Sequence, residues 1–249
     1  MENNKTHNEV IAKEVLKGSF KIIRSKPIIF LPMIFLVLFD RLQGYLASKY
    51  IDIPAKIASI EELMPFLPSI LAYVIVSSIL LIIIYTIIEG IYSVTIKNIL
   101  ENKEVNLAAA SELASKKASI LIAAGILLGS MIMAGTLFFI IPGILFTIWY
   151  FYTIPFIMLE NRGALDGMKA SKEFARNKKS MTIYIMTVPF LFLFLGSSIA
   201  GVVFYRVPMA YYAINIVLDT VIYTWYSVIP VYVYLKEFST KAQPHRIEK

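Results

Sequence analysis

Long apolar runs and short polar ones alternate along this chain, and six of the apolar runs are long enough to matter. About 20 consecutive apolar residues cross the hydrocarbon core of a bilayer as a helix, because a helix pairs its backbone polar groups within itself. The pattern predicts helices over 27–47, 67–96, 118–141, 144–160, 181–205 and 209–235. Ile141-Pro142-Gly143 interrupts an apolar stretch too long for one span, which predicts a tight hairpin turn there. Tyr205-Arg206-Val207-Pro208 separates the fifth and sixth spans. A longer loop, Ser48 to Phe66, joins the first two.

The polar segments repeat with the spans. Segments 8–25, 104–117 and 163–179 each precede an odd-numbered span, so the expected unit is a polar helix followed by a hairpin of two spans, three times over. The even-numbered spans end alike: Leu100-Glu101-Asn102-Lys103, Leu159-Glu160-Asn161-Arg162 and, less closely, Leu235-Lys236-Glu237. Upstream stand Tyr92-Ser93-Val94, Tyr152-Thr153-Ile154 and Tyr226-Ser227-Val228. The fold class expected is an all-α polytopic membrane protein, a single membrane domain over residues 1–249.

Charge orients the bundle. Of 24 Lys and Arg residues, all but Arg41, Lys49, Lys56 and Arg206 fall on the side of the polar segments. By the positive-inside rule that side is cytoplasmic, with both termini, and the expected location is the cell membrane. The N-terminal residues MENNKTHNEVIAKE lack the layout of a secretory signal, so insertion through the first span is expected. Lys13, Lys17, Lys21 and Arg24 share one face of the first polar helix, with Ile11, Val15 and Ile22 opposite; Phe20 lies on the basic edge. Such a helix suits the plane of an anionic leaflet. Lys169, Lys172, Arg176 and Lys179 share a face of the third polar helix, whose other face is mostly small residues and suits packing on protein. The expected partner is therefore anionic lipid on the cytoplasmic face. The net charge of +7 follows from this topology and does not call for nucleic acid.

Composition agrees and excludes much. The chain is 58% hydrophobic, with mean hydropathy +0.70, against about 45–50% apolar residues in soluble domains. The polar remainders are too short for a separate soluble domain. With no Cys there are no disulfides, thiolate ligands or Cys nucleophiles. His7 and His245 lie in the polar termini. No metal spacing, G-x-S-x-G or Walker-type loop occurs, so neither a catalytic site, a metal nor a cofactor is expected.

The candidate chemistry lies inside the membrane, where a charge needs a partner or a purpose. Asp219 falls about ten residues into the sixth span, roughly 15 Å deep. Tyr212, Asn215, Asp219, Tyr223 and Tyr226 form a polar stripe at spacings of three and four. Asp40 and Arg41 reach a similar depth in the first span, so Arg41 is the preferred partner of Asp219, with Arg206 the alternative. Glu89 belongs nearer the cytoplasmic end of the second span, beside Tyr85, Thr86, Tyr92 and Ser93. The candidate intramembrane site is thus Asp219, Asn215, Tyr223, Arg41, Asp40 and Glu89, read either as helix-registering polar contacts or as a solute, ion or proton cavity. Gly125 and Gly129 form a G-x-x-x-G, and Gly196 to Gly201 a second small-residue stretch; both are assigned to helix packing.

Residues 140–180 carry a family resemblance. The stretch Ile141-Pro142-Gly143-Ile144, then Pro155-Phe156-Ile157-Met158-Leu159-Glu160, then Gly163-Ala164-Leu165-Asp166-Gly167-Met168-Lys169-Ala170-Ser171 resembles the integral-membrane domain of bacterial glycerophosphodiester phosphodiesterases and related uncharacterised prokaryotic six-helix membrane families. Elsewhere the likeness is one of layout. The resemblance implies a six-helix bundle with an I-P-G turn and a membrane role. It implies no activity, because catalysis in that family resides in a separate soluble barrel that this chain lacks.

These observations lead to a non-enzymatic membrane protein that organises, senses or assists at the bilayer. The rival is a small transporter or transport subunit using the Asp219 stripe, and a third class is a membrane-embedded lipid enzyme. A scaffold requires a closed, well-packed bundle. A transporter requires a cavity reaching Asp219 and Asn215, and an enzyme requires clustered acidic or His residues at headgroup level.

Overall fold

The structure is a computed structural model and describes residues 2–51 and 60–242. Lys56, His245, Arg246 and Lys249 lie outside the described residues. The protein is an all-α polytopic membrane protein, with no strand among the described residues. Among the described residues six helical segments are long and apolar enough to cross a membrane: Pro27–Tyr50, Glu61–Leu100, Ala118–Phe138, Ile140–Glu160, Lys179–Val203 and Pro208–Glu237. In chain order the elements are α1 (Glu2–Ser25), α2 (Phe30–Tyr50), α3 (Ile60–Leu63), α4 (Leu67–Leu100), α5 (Leu107–Lys116), α6 (Ala118–Phe138), α7 (Ile140–Tyr150), α8 (Thr153–Glu160), α9 (Ala164–Asn177), α10 (Lys179–Val203) and α11 (Pro208–Ala242).

The hairpin between the third and fourth spans turns earlier than its Pro-Gly pair. The chain reverses at Phe139, the one extended residue, and Pro142 lies in the first turn of α7. A proline is tolerated there because the first N–H groups of a helix have no intrahelical acceptor. Gly143 serves contact instead of turning. A Cβ on Gly143 would lie 3.0 Å from the Thr136 backbone nitrogen, and one on Gly135 would lie 2.9 Å from the Gly143 nitrogen. The two arms touch backbone to backbone, which only glycine permits.

The fourth span is not one helix. It breaks at Phe151-Tyr152 between α7 and α8. Pro155 carries no N–H for the carbonyl of Phe151 one turn back. Ser171 of α9 fills the break: its hydroxyl donates to the Trp149 carbonyl at 2.9 Å and accepts from the Tyr152 N–H at 3.0 Å. α9 comes this close because Gly167 lies flat on Ile157, where a Cβ would approach within 2.6 Å. The Gly and Ser of the 163–171 segment thus splice one helix into another.

The shared endings of the even spans are helix stops. Asn102 and Asn161 both adopt the left-handed conformation, at φ 55° and 57°, which asparagine tolerates better than most residues. In each case the preceding glutamate pairs with the following base, Glu101 with Lys103 and Glu160 with Arg162, both at 2.6 Å. Hydrogen bonding to the Lys103 ammonium holds the Glu101 carboxyl below the usual carboxylate range. The third copy has no such asparagine, and α11 runs on to Ala242.

Packing follows a cyclic order. α5 packs on α4, α9 on α7 and α8, and α1 on α10 and α11. Each polar helix therefore rests on the last span of the unit before it, with the first unit following the third. The last spans meet inside, α4 against both α8 and α11. α1 consequently lies on protein and not with its apolar face in lipid. Ala12, Val15, Leu16, Ser19, Ile22 and Ile23 are buried, and Trp225 donates its indole N–H to Ser19 at 3.0 Å. Phe20, out of place on the basic edge, stacks edge-on against Trp225 at 5.3 Å.

Candidate functional site

Asp219 and Arg41 meet. The guanidinium of Arg41 on α2 donates to the carboxylate of Asp219 on α11. Arg206, the alternative partner, instead lies over the ring of its neighbour Tyr205. Asp219 is buried, while the Arg41 side chain is 42% exposed. The pair is open on the arginine side, and an open cavity of about 610 Å³ lies around it.

Four helices build this cavity. α2 supplies Leu36, Val37, Asp40 and Arg41; α4 supplies Leu81, Ile82 and Tyr85; α10 supplies Leu193 and Ser197; α11 supplies Tyr211, Asn215, Asp219 and Tyr223. The spacing 211, 215, 219, 223 is a strict i, i+4 row on one helix face. Tyr212, assigned to that stripe from the sequence, is 59% exposed and points away; Tyr211 takes its place. Asn215 donates to the Tyr211 carbonyl at 2.9 Å. The small residues of α10 also have a role here, since Ser197 forms part of the wall.

Glu89 does not join this site. It lies in a separate cavity of about 230 Å³ between α4, α6, α7 and α11. Ile82 and Tyr85 line both cavities. A third, apolar cavity of about 720 Å³ also has Tyr85 in its wall, with Tyr223 and Tyr226. Tyr85 is thus the shared partition, a role that sequence spacing could not reveal because it depends on three neighbouring helices. Gly125 and Gly129 seat α6 against Thr86 and Ile82, where a Cβ on either would come within 2.6 Å. They also form the wall of the Glu89 cavity.

The basic residues lie on the other half of the molecule. Lys13, Lys17, Lys21 and Arg24 are exposed along α1. Lys169 and Arg176 are exposed on α9, and Lys172 lies over the Trp149 ring at 4.8 Å. With Glu173 and Asn177 these three line a shallow polar pocket. Lys179 is not on this helix: α9 ends at Asn177, and Lys179 begins α10. Lys117 has a structural task, donating to the carbonyls of Ile157 and Met158 at 2.9 and 3.2 Å where α8 ends; its partial burial lowers the ammonium from the usual lysine range.

Among the described residues no group of three His, Cys, Asp or Glu side chains gathers as a metal site. No protein-family model, curated protein or solved structure matches the chain.

Proposed function

We propose that this membrane protein admits a small polar solute into the Arg41–Asp219 cavity, as a transporter or transport subunit, and does no covalent chemistry there. The observation that carries this reading is the open cavity itself, which reaches Asp219 and Asn215; a scaffold requires that region closed. The lining sets Asp40 and Asp219 against one guanidinium, and Tyr85, Tyr211 and Tyr223 add ring faces. An excess of carboxylate with aromatic walls favours a cationic or zwitterionic solute. In this reading the half carrying α1, α5 and α9 faces the cytoplasm of the cell membrane, where Lys13, Lys17, Lys21, Arg24, Lys169 and Arg176 meet anionic headgroups. The resemblance of residues 140–180 to phosphodiesterase membrane domains supports a bilayer-embedded role of this kind.

The native chain has no cysteine, which makes the test direct. Asn215→Cys and Ser197→Cys, in proteoliposomes, should react with a small charged thiol reagent, and Ile157→Cys, fully buried in the opposite half, should not. Unreactive cysteines at both 197 and 215 in folded protein would return the chain to the alternative role, organising the bilayer without a solute path.

A further inference from the structure

The carboxylate of Glu89 has no ion-pair or cation partner to account for it. The side chain is 5% exposed, and its Oε1 makes no hydrogen bond. Eleven residues separate it from the end of α4 at Leu100, roughly 16 Å at the helical rise. The charged and titratable groups around it are few. Its own helix brings Tyr85 and Tyr92, α11 brings Tyr226 beside Ser227, and α7 brings Tyr150 to the same cavity. The charges on the other neighbouring helices lie elsewhere: Glu112 with Lys116 on α5, Arg41 with Asp219 across α2 and α11, Asp40 in the wall of that larger cavity, and Glu160 of α8 with Arg162 and Tyr234. Lys117, ahead of α6, is bonded to carbonyls. No lysine or arginine reaches Glu89 among the described residues.

A buried carboxylate without a cation is costly while ionised, and it gains by taking a proton if one can reach it. The cavity supplies the route. Its volume of about 230 Å³ exceeds the roughly 30 Å³ share of one water several times. Pro230 lies in its wall and offers no N–H to the carbonyl of Tyr226, another wall residue one turn back, so that carbonyl is left without its helical donor. Ser227 Oγ lies next to Glu89. A protonated Glu89 has acceptors within its surroundings, and an ionised one has the hydroxyls of Tyr85 and Ser227.

We propose that Glu89 is a proton-exchanging carboxylate with its own cavity, distinct from the Arg41–Asp219 site and separated from it by Tyr85. On uptake, a hydronium ion in the cavity gives its proton to Glu89 Oε1 and becomes water, and the negative charge of the site is lost; release reverses both changes. In the solute-binding reading above, this exchange gives the second ion that a coupled carrier needs. The exchange itself stands on the geometry of the Glu89 cavity and not on that reading.

Infrared spectroscopy of the full chain in proteoliposomes tests it. As the pH is lowered from about 9 to about 5, wild-type protein should gain a protonated-carboxyl stretching band. Glu89→Gln should lose the band, Glu89→Asp and Tyr85→Phe should shift its frequency, and Asp219→Asn should keep it. If Glu89→Gln does not fold, the shift in Glu89→Asp carries the assignment. A band absent from wild type, constant across the range, or lost in Asp219→Asn but kept in Glu89→Gln would overturn the proposal. None of these outcomes depends on thiol labelling at residues 197 and 215, so the two ideas fail separately.

Discussion

The half of the bundle that holds α1, α5 and α9 is packed like a soluble protein, and the opposite half is not. In the first, Tyr92, Tyr152, Ile157, Ile185 and Ile229 are fully buried, and side chains from other helices satisfy the helix ends and breaks. In the second, Leu71, Val74, Ile75, Leu137 to Ile141, Phe192, Phe194 and Ile199 stand exposed on their helices. The packed half is the more polar in sequence, since it holds α1, α5, α9 and most of the basic residues, so hydrophobicity does not explain the difference. Lipid tails are as apolar as leucine and give spans no reason to close on one another. The polar helices do, because each lies against the last span of the preceding unit and draws the inner ends together. Beyond their reach the glycine contacts of α6, the approach of Gly196 to Leu218 and the Arg41–Asp219 pair join the spans, and the cavities open there.

The contrast breaks first under core truncation. Phe156→Ala removes a ring that is 3% exposed and stacked between Phe174 and Tyr234. It should cost about 3–5 kcal/mol in detergent thermal unfolding. Phe194→Ala, 59% exposed in the open half, should fall within about 0.5 kcal/mol of wild type. Similar losses at the two positions would show that both halves are closed.

A smaller effect is expected at the Arg41–Asp219 pair, which among the described residues is the one ionic link across the open half. Asp219→Ala leaves Arg41 without its carboxylate and should cost about 1.5–3 kcal/mol, the range for a hydrogen bond to a charged group. The half-open arginine keeps the effect below that of a fully buried pair. Adding Arg41→Ala should recover part of the loss, and a double-mutant cycle of thermal stability measures the coupling. Additive effects would remove the pair as a link between α2 and α11.

The smallest effect concerns the stops that end the even spans in the packed half. Asn161→Gly should leave stability unchanged, because glycine adopts the left-handed conformation freely. Asn161→Ala should cost about 1 kcal/mol by the same thermal measurement, and Asn102 should behave alike. A neutral Asn161→Ala would mean that the chain ends α8 without needing that conformation.

Much of this was legible from pattern. Six apolar runs, the polar helix before each hairpin and the repeated Leu-Glu-Asn endings are properties of local sequence, because span length and helix termination depend on residues within a turn or two. The pairing of Asp219 with Arg41 followed from depth, since two charges at one level of a bundle of this width are each other's nearest relief. The turn after the third span did not follow, because Pro142 and Gly143 are equally at home in the first turn of a helix, and the contact with Gly135 and Thr136 decides between the two. Tyr211 replaced Tyr212 because the packing of α11 against α2 and α10, and not its own period, selects the facing row.

Local pattern was enough for a helical membrane protein and its number of spans, both of which follow from the energetics of backbone and side chains in hydrocarbon. Only the tertiary structure decided that α1 lies on protein, that Ser171 splices α7 to α8, that Glu89 and Asp219 occupy separate cavities and that Tyr85 divides them. Those outcomes depend on which helices are neighbours. In a bilayer, where apolar surfaces are nearly interchangeable, neighbours are chosen by a few glycines and hydrogen bonds whose partners lie far apart along the chain.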